Sequence, residues 1–417
     1  MLAAILVAAC SAAPAASSQV PSPSGPVTAS PTPGAPTSAP PSAPLPTPDP
    51  TPVSSTPANP PSGAWTALDW RDVGKLPLGP REITAYGWSG GYIAVEQTTG
   101  YDNDGNELPV TIRTSLSADG SRWSTPNAID TSGLKGNVEI ESIVEGPSGL
   151  IAVAYPYGDT CGGPPSVVAL WGSSDGRAWY RIAMPRAFVE GQVRTIRGGG
   201  AGFIATGTRA DGSEGIWTSR SGDGWRSRPL PTVTSGTLAI DDAISFDQGF
   251  VVIGSVLGEG ECGGPAHVRY ATWFSADGTS WTRSEVPDAS KTPGAPLAVR
   301  RIGDTLLLTQ TVDYEKPAHG WTSVDGRTWT STGDVSKDLY WAAVSDGEHV
   351  VISREPGGSG PLILVGVDAT GRSTDLAQSG DVPQATDEGP SLRIAVGPDG
   401  VLAVRSDGGA SYLGVPS

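Results

Sequence analysis

One phrase recurs along the chain at intervals of about fifty residues. It reads Trp171-Gly-Ser-Ser-Asp175-Gly176-Arg-Ala-Trp179, then Trp273-Phe-Ser-Ala-Asp277-Gly278-Thr-Ser-Trp281, then Trp321-Thr-Ser-Val-Asp325-Gly326-Arg-Thr-Trp329. Two variants keep the frame: Ser115 to Trp123 around Asp119-Gly120, and Trp217 to Trp225 with the Asp223-Gly224 pair displaced by two positions. An Asp-Gly step between aromatic or β-branched runs is a hairpin signal, because Gly takes positive φ and the carboxylate accepts turn amides. The even spacing of the flanking Trp residues puts both on one face of that hairpin.

A second hairpin precedes each of these. Ile83 to Trp88 is followed by Tyr92 to Val95, Ile140 to Val144 by Leu150 to Ala154, and Val193 to Ile196 by Phe203 to Thr206. The pair returns at Ala239 with Phe250, Leu297 with Leu306, Tyr340 with Val350 and Leu392 with Val401. Seven units of four strands, with a mean period of roughly 51 residues, predict an all-β, seven-bladed β-propeller over residues 63–417. The seventh unit ends after its third strand, near Ser411 to Val415, while Gly63-Ala64-Trp65-Thr66 reads like the opening of a fourth. The N-terminal segment is therefore expected to complete the last blade, and deleting residues 64–71 to open the ring.

Composition agrees with this reading. The chain has 56 Gly, 39 Pro and 13 Trp but only 5 Phe and 2 Met, a turn-rich, aromatic-anchored balance. Its 27 Lys plus Arg against 43 Asp plus Glu give a net charge of −16, which excludes the basic footprint that nucleic acid or an anionic bilayer needs.

The first residues read as an address. Met1 to Ala9 are apolar, and Val7-Ala8-Ala9-Cys10 matches the lipobox of bacterial lipoproteins, in which the Cys becomes the lipid-modified first residue. That resemblance implies a signal segment over 1–10 and anchoring by lipid on Cys10 to the outer face of a bacterial cell membrane. No Lys or Arg precedes the apolar run, and a start site placed too far downstream would explain this. Residues 11–62 hold 17 Pro, no aromatic residue and one charge, Asp49. Such a segment is expected to be a disordered, polyproline-rich linker reaching about 160 Å when extended.

The repeat resembles the Asp-box (BNR-type) β-propellers, with Gly following Asp directly where that family has one residue between them. The resemblance covers 64–417 and implies structural roles for Asp119, Asp175, Asp223, Asp277 and Asp325 and for Trp123, Trp179, Trp225, Trp281 and Trp329. Many Asp-box proteins are exo-sialidases, which carry an Arg-Ile-Pro motif, an Arg triad and six blades. Here the nearest phrase is Arg181-Ile-Ala-Met-Pro185, inside a later unit, and the blades number seven. Arg194, Arg197, Arg300 and Arg301 lie on or just after first strands and are expected to be outward and salt-bridged, the alternative being that they face the channel.

Loops between second and third strands hold the remaining chemistry. Tyr155-Pro-Tyr157-Gly-Asp159-Thr-Cys161-Gly-Gly-Pro164 and Gly258-Glu-Gly-Glu261-Cys262-Gly-Gly-Pro265 occupy equivalent places in units two and four. Cys161 and Cys262 are expected to form a disulfide across the channel mouth, two free thiols being the alternative. The first unit's loop, Asp102-Asn-Asp104-Gly-Asn106-Glu107, alternates oxygen ligands, but the twelfth position is Arg113, so it is no EF-hand. His267, His319 and His349 are scattered, and no nucleophile motif accompanies them. No metal site or cofactor is expected.

The sequence thus predicts an exported, monomeric ligand- or partner-binding propeller. Its open face would carry Tyr101, Asp102, Asp104, Tyr155, Tyr157, Asp159, Glu261 and His267, groups that suit a glycan, an envelope polymer or a protein. A sialidase-like glycoside hydrolase and a protein-assembly scaffold remain the alternatives.

Overall fold

The computed structural model describes residues 65–79, 82–102, 104–156, 166–231, 236–258, 268–290, 295–313, 315–339, 343–354, 360–385 and 391–417, all within one compact unit, Ala58–Ser417. Cys10 and the 11–62 segment lie outside the described residues. The fold is a seven-bladed β-propeller of antiparallel four-stranded sheets. Helix, among the described residues, is confined to Arg186–Glu190 and a 3-10 turn at Lys337–Leu339.

Blade one comprises Glu82–Trp88, Gly91–Thr98, Thr111–Ser117 and Asn127–Ala128; blade two comprises Val138–Gly146, Gly149–Pro156, Ala169–Ser173 and Tyr180–Ile182. Blade three follows with Gln192–Gly199, Gly202–Thr208, Glu214–Ser219 and Arg226–Ser227, and blade four with Thr237–Phe246, Gly249–Leu257, Val268–Ser275 and Thr282–Glu285. Blade five is Leu297–Ile302, Thr305–Gln310, Ala318–Ser323 and Thr330–Val335; blade six is Ala343–Ser345, Val350–Arg354, Ile363–Val367 and Ser373–Asp375. Each first strand touches the first strands of both neighbouring blades, so these strands form a closed cycle around the axis.

The second strands explain why the sheets assemble. Gly91–Thr98, Gly149–Pro156 and Gly249–Leu257 are buried along nearly their whole length, as near-continuous apolar runs require when both faces of a sheet are covered. Every gap between neighbouring blades is filled by its own apolar cluster, seven around the ring. Trp171, Trp217, Trp273 and Trp321 are buried at the centres of four of these clusters. Trp179, Trp225, Trp281 and Trp329 pack into the same clusters as their partners eight residues earlier. Trp123, whose counterpart is Ser115, packs between blades seven and one.

The Asp-Gly turns share one geometry. Asp175 Oδ1 accepts the amides of Arg177 (2.8 Å) and Ala178 (3.2 Å), and Ser173 Oγ accepts that of Gly176 (2.8 Å). Asp277 and Asp325 repeat this with the two amides that follow Gly278 and Gly326. In Asp119 and Asp277, hydrogen bonds to the anion hold the carboxyl well below the ordinary Asp range. Gly278, at φ 72, is required twice over, since a Cβ there would lie 2.5 Å from Thr218 Oγ1 of the preceding blade.

Blade three corrects one sequence expectation. Its turn glycine is Gly222, whose amide donates to Ser219 Oγ at 2.9 Å, so Ser221 stands where the other blades have Asp. Asp223 lies two residues further on and accepts the Ser221 hydroxyl instead. The hairpin frame depends on the Ser-Gly pair and tolerates loss of the carboxylate.

Blade seven contains Leu392–Gly397, Gly400–Arg405, Ser411–Pro416 and, from the other end of the chain, Ala67–Gly74. The N-terminal strand pairs antiparallel with Ser411–Pro416 from Leu68↔Pro416 to Gly74↔Ser411, so the ring closes non-covalently as the sequence predicts. Leu68 and Trp70 are 1% and 2% exposed in the cluster between blades six and seven. Trp70→Ala should therefore cost about 3–5 kcal/mol, read as a lowered urea midpoint. An unchanged midpoint would mean that this strand does not hold the ring.

Candidate functional site

Antiparallel blades place the turns after first strands and the Asp-Gly turns on one face of the ring. The loops between second and third strands, and the starts of the first strands, lie on the other. Near those starts, blades two, three and four depart from regular pairing at equivalent points. The register slips between Ile140 and Ser142, between Val193 and Thr195, and between Ile240 and Asp242. The extra residues are Glu141, Arg194 and Asp241, a charged residue in each case. A bulge breaks the in-out alternation of a strand and re-aims one side chain. Ile140, Val193 and Ile240 thus stay buried while the next residue, with its charge, reaches solvent.

Bulges free backbone groups that need partners. The Tyr86 hydroxyl, from blade one, donates to Ile140 O at 2.7 Å, and Ile140 N donates to Gln97 Oε1 at 3.0 Å. The Tyr155 hydroxyl of blade two donates to Arg194 O at 3.0 Å. Burial is the main cause that raises both phenols above their ordinary range, so they remain neutral donors. Tyr155, expected on the open face, is instead 6% exposed between blades two and three. Its ring is needed for the core, and its hydroxyl positions the Arg194 bulge.

The charges are held in ion pairs within and between blades. Arg194 Nη2 lies 2.6 Å from Glu214 Oε2, and Arg393 of blade seven lies 3.5 Å from Glu82 of blade one. Buried Asp242 accepts the Val299 amide (3.1 Å) and Arg300 Nη1 (3.3 Å), with Arg197 at 3.9 Å, and so ties blades three, four and five together. On the opposite, Asp-Gly-turn face, Arg301 pairs with Asp247 and Glu348. Glu139 is raised by burial first and by Glu82 next. Asp241 is open to solvent, yet its concave surroundings desolvate it, and Asp242 and Glu214 repel its charge. Its carboxyl is pushed up to about 7.

The other expected site residues are placed separately. Tyr101 is exposed and bridges to Glu107. Asp102 accepts the amides of Asp104 (2.9 Å) and Asn106 (2.8 Å) with one oxygen and the Asn106 side chain (2.9 Å) with the other, so its carboxylate organises the loop tip on which exposed Asp104 sits. Arg113 is turned to Glu96. His319 meets Ser331 and His349 meets Asp346. Tyr157, Asp159, Cys161, Glu261, Cys262 and His267 lie outside the described residues. Among the described residues no group of three or more His, Cys, Asp or Glu side chains is arranged to hold a metal ion.

No protein-family model matches the chain, and no curated protein sequence matches it. Solved structures with a related fold include the fucose-specific lectin of Aleuria aurantia, in complex with alpha-methyl-L-fucoside, at 14% identity over 74% of this chain and 98% of the lectin, with a TM-score of 0.37. The phage phi92 endosialidase matches at 11% identity over 85% of this chain and 69% of its own, TM-score 0.35. The acylaminoacyl peptidase of Pyrococcus horikoshii matches at 10% identity over 78% of this chain and 48% of its own, TM-score 0.42.

Tyr155→Phe keeps the ring and orphans Arg194 O, so it should cost about 1–2 kcal/mol in urea unfolding. A loss as large as that of Tyr155→Ala would assign the effect to packing instead. The Asp241 carboxyl, raised to about 7 in the folded chain from an ordinary value of 3.8, binds fewer protons between these values once the chain unfolds, so stability falls as pH rises. Asp241→Asn removes that penalty. Its melting temperature should exceed that of the parent by a margin that grows from pH 4 to pH 7 and is level above; a margin independent of pH would sink the assignment.

Proposed function

We propose that the protein is an exported propeller, tethered by lipid on Cys10 and the 11–62 linker, that binds a polar ligand at the mouth of its channel on the loop face. The observation that carries this reading is the set of three equivalent bulges turning Glu141, Arg194 and Asp241 out of the core. Fixed carboxylates and a guanidinium held among tyrosines suit hydroxyl-rich or amine-bearing ligands such as a glycan or a cell-envelope polymer. The repeat turns support a likeness to the Asp-box propellers in architecture, and the ring acts as a monomer.

Binding without turnover is favoured over glycoside hydrolysis. A hydrolase needs two carboxylates open to substrate at a defined separation. Beside Asp241, Asp242 is 6% exposed and committed to Val299, Arg300 and Ala243, and Glu214 is held by Arg194. Asp241 therefore has no second free carboxylate supplied by its immediate partners.

A glycan and peptidoglycan-fragment array on the full chain, with mass analysis of every spot that binds, tests this. Binding without product is expected, weakened at least tenfold by Glu141→Gln combined with Asp241→Asn. Released product would establish a hydrolase, and an array without any binding would turn the search to protein partners.

A further inference from the structure

Blade seven has a strand that no other blade has. Ala377–Gly380 leaves the outer edge of blade six and pairs in parallel with the closing strand, from Ala67↔Ala377 to Trp70↔Gly380. The closing strand is thus held on both edges, by Ser411–Pro416 on one side and Ala377–Gly380 on the other. Side chains reinforce the second edge. Trp70 Nε1 donates to Gln378 Oε1 at 2.9 Å while Gln378 Nε2 donates to Leu362 O of the blade-six segment at 2.7 Å, so one amide links blade seven to blade six. Ser379 Oγ donates to Asp69 Oδ1 at 2.9 Å, and the amides of Ala377 and Asp381 donate to the carbonyls of Thr66 and Trp70.

The direction of the chain gives this arrangement a purpose. The closing strand begins on the Asp-Gly-turn face, where Trp65 stacks on His349 at 4.2 Å in the first turn of blade six. It ends at Gly74, opposite Ser411, on the loop face that carries the charged mouth. Any pull between the N-terminal chain and a ligand at the mouth therefore crosses the ring and falls first on this strand. Because the pull runs along the strand, the hydrogen bonds of a ladder are loaded in shear together, and a second ladder on the other edge must slide at the same time.

We infer that Ala377–Gly380 is a clasp that keeps the closing strand seated under tension arriving through the N-terminal chain. The source of the tension rests on the tethered reading above; the clasp is tested without it.

The full-length protein is held by an N-terminal tag and by a second peptide tag inserted at Gly105, an exposed loop tip with open space around it, and is stretched in an optical trap. The parent should yield in one event that takes the closing strand and the ring together. Ala377→Pro removes the amide that bonds Thr66 and should first release segment 65–74, in a separate yielding step before the ring opens, at no more than half the parent force. Gln378→Ala, which leaves the backbone ladder intact, should fall between the two. If circular dichroism shows Ala377→Pro unfolded, Gln378→Ala decides alone. Equal forces in parent and variant, or early release of 65–74 in the parent, would overturn the clasp. Absence of glycan binding leaves these outcomes unchanged and bears only on the ligand.

Discussion

Each of the sheets is apolar on both faces, so no blade has a core until its two neighbours cover it. Ring closure follows from this requirement. An open array would expose two apolar faces at its ends, and the N-terminal segment supplies the eight-residue strand Ala67–Gly74 that completes the last sheet. The turn glycines answer to the same constraint. A Cβ on Gly176, Gly222, Gly278 or Gly326 would meet Leu116, Ile151, Thr218 or Val251 of the preceding blade within 3 Å. Positive φ and interblade contact demand glycine at the same point, and this is why the phrase survives where its carboxylate does not.

A ring of sheets leaves the inner edge of each first strand without a neighbouring strand to pair with. Side chains from adjacent blades take over part of that role: Tyr86 and Gln97 at Ile140, Tyr155 at Arg194, and Asp242 at Val299. These contacts cross between blades near the axis, where the sheets are closest. They exchange water for protein partners at buried backbone groups, which contributes about 1 kcal/mol each when made and more when broken. The framework that seats the charged residues is therefore the one that registers each blade against the next.

The fold was legible because spacing is a one-dimensional signal. Trp residues eight apart, Asp-Gly turns and apolar pairs at a fifty-residue period reported strands, turns and closure directly. The mouth was legible only in part. A bulge is an extra residue in a pairing register, and register exists only between two strands; Ile140-Glu-Ser, Val193-Arg-Thr and Ile240-Asp-Asp read as ordinary strand beginnings. A charged residue straight after a buried one, at the same place in three successive units, was the available trace. Tyr155 was misplaced because an aromatic beside a long loop looks like a ligand contact, whereas its strand carries it into the core. In blade three the carboxylate of Asp223 is a misleading marker of the turn, because the position that fixes the hairpin is Gly222.

Seven equal blades around an axis create no preferred place for a ligand; a site needs a departure from the repeat. The departures at the starts of the first strands gather in one sector. Blades two, three and four carry the bulges, while pairing at the start of the first strand is regular in blades one, five and seven. Ion pairs extend the asymmetry, with Arg194 and Glu214 fixed within blade three and Asp242 drawing in Arg197 and Arg300 from both sides. The hydrophobic ring determines that the sector is rigid, and the bulges determine that it is charged. Rigidity without the bulges would leave a closed, apolar seam, and charge without the interblade hydrogen bonds would have no fixed geometry.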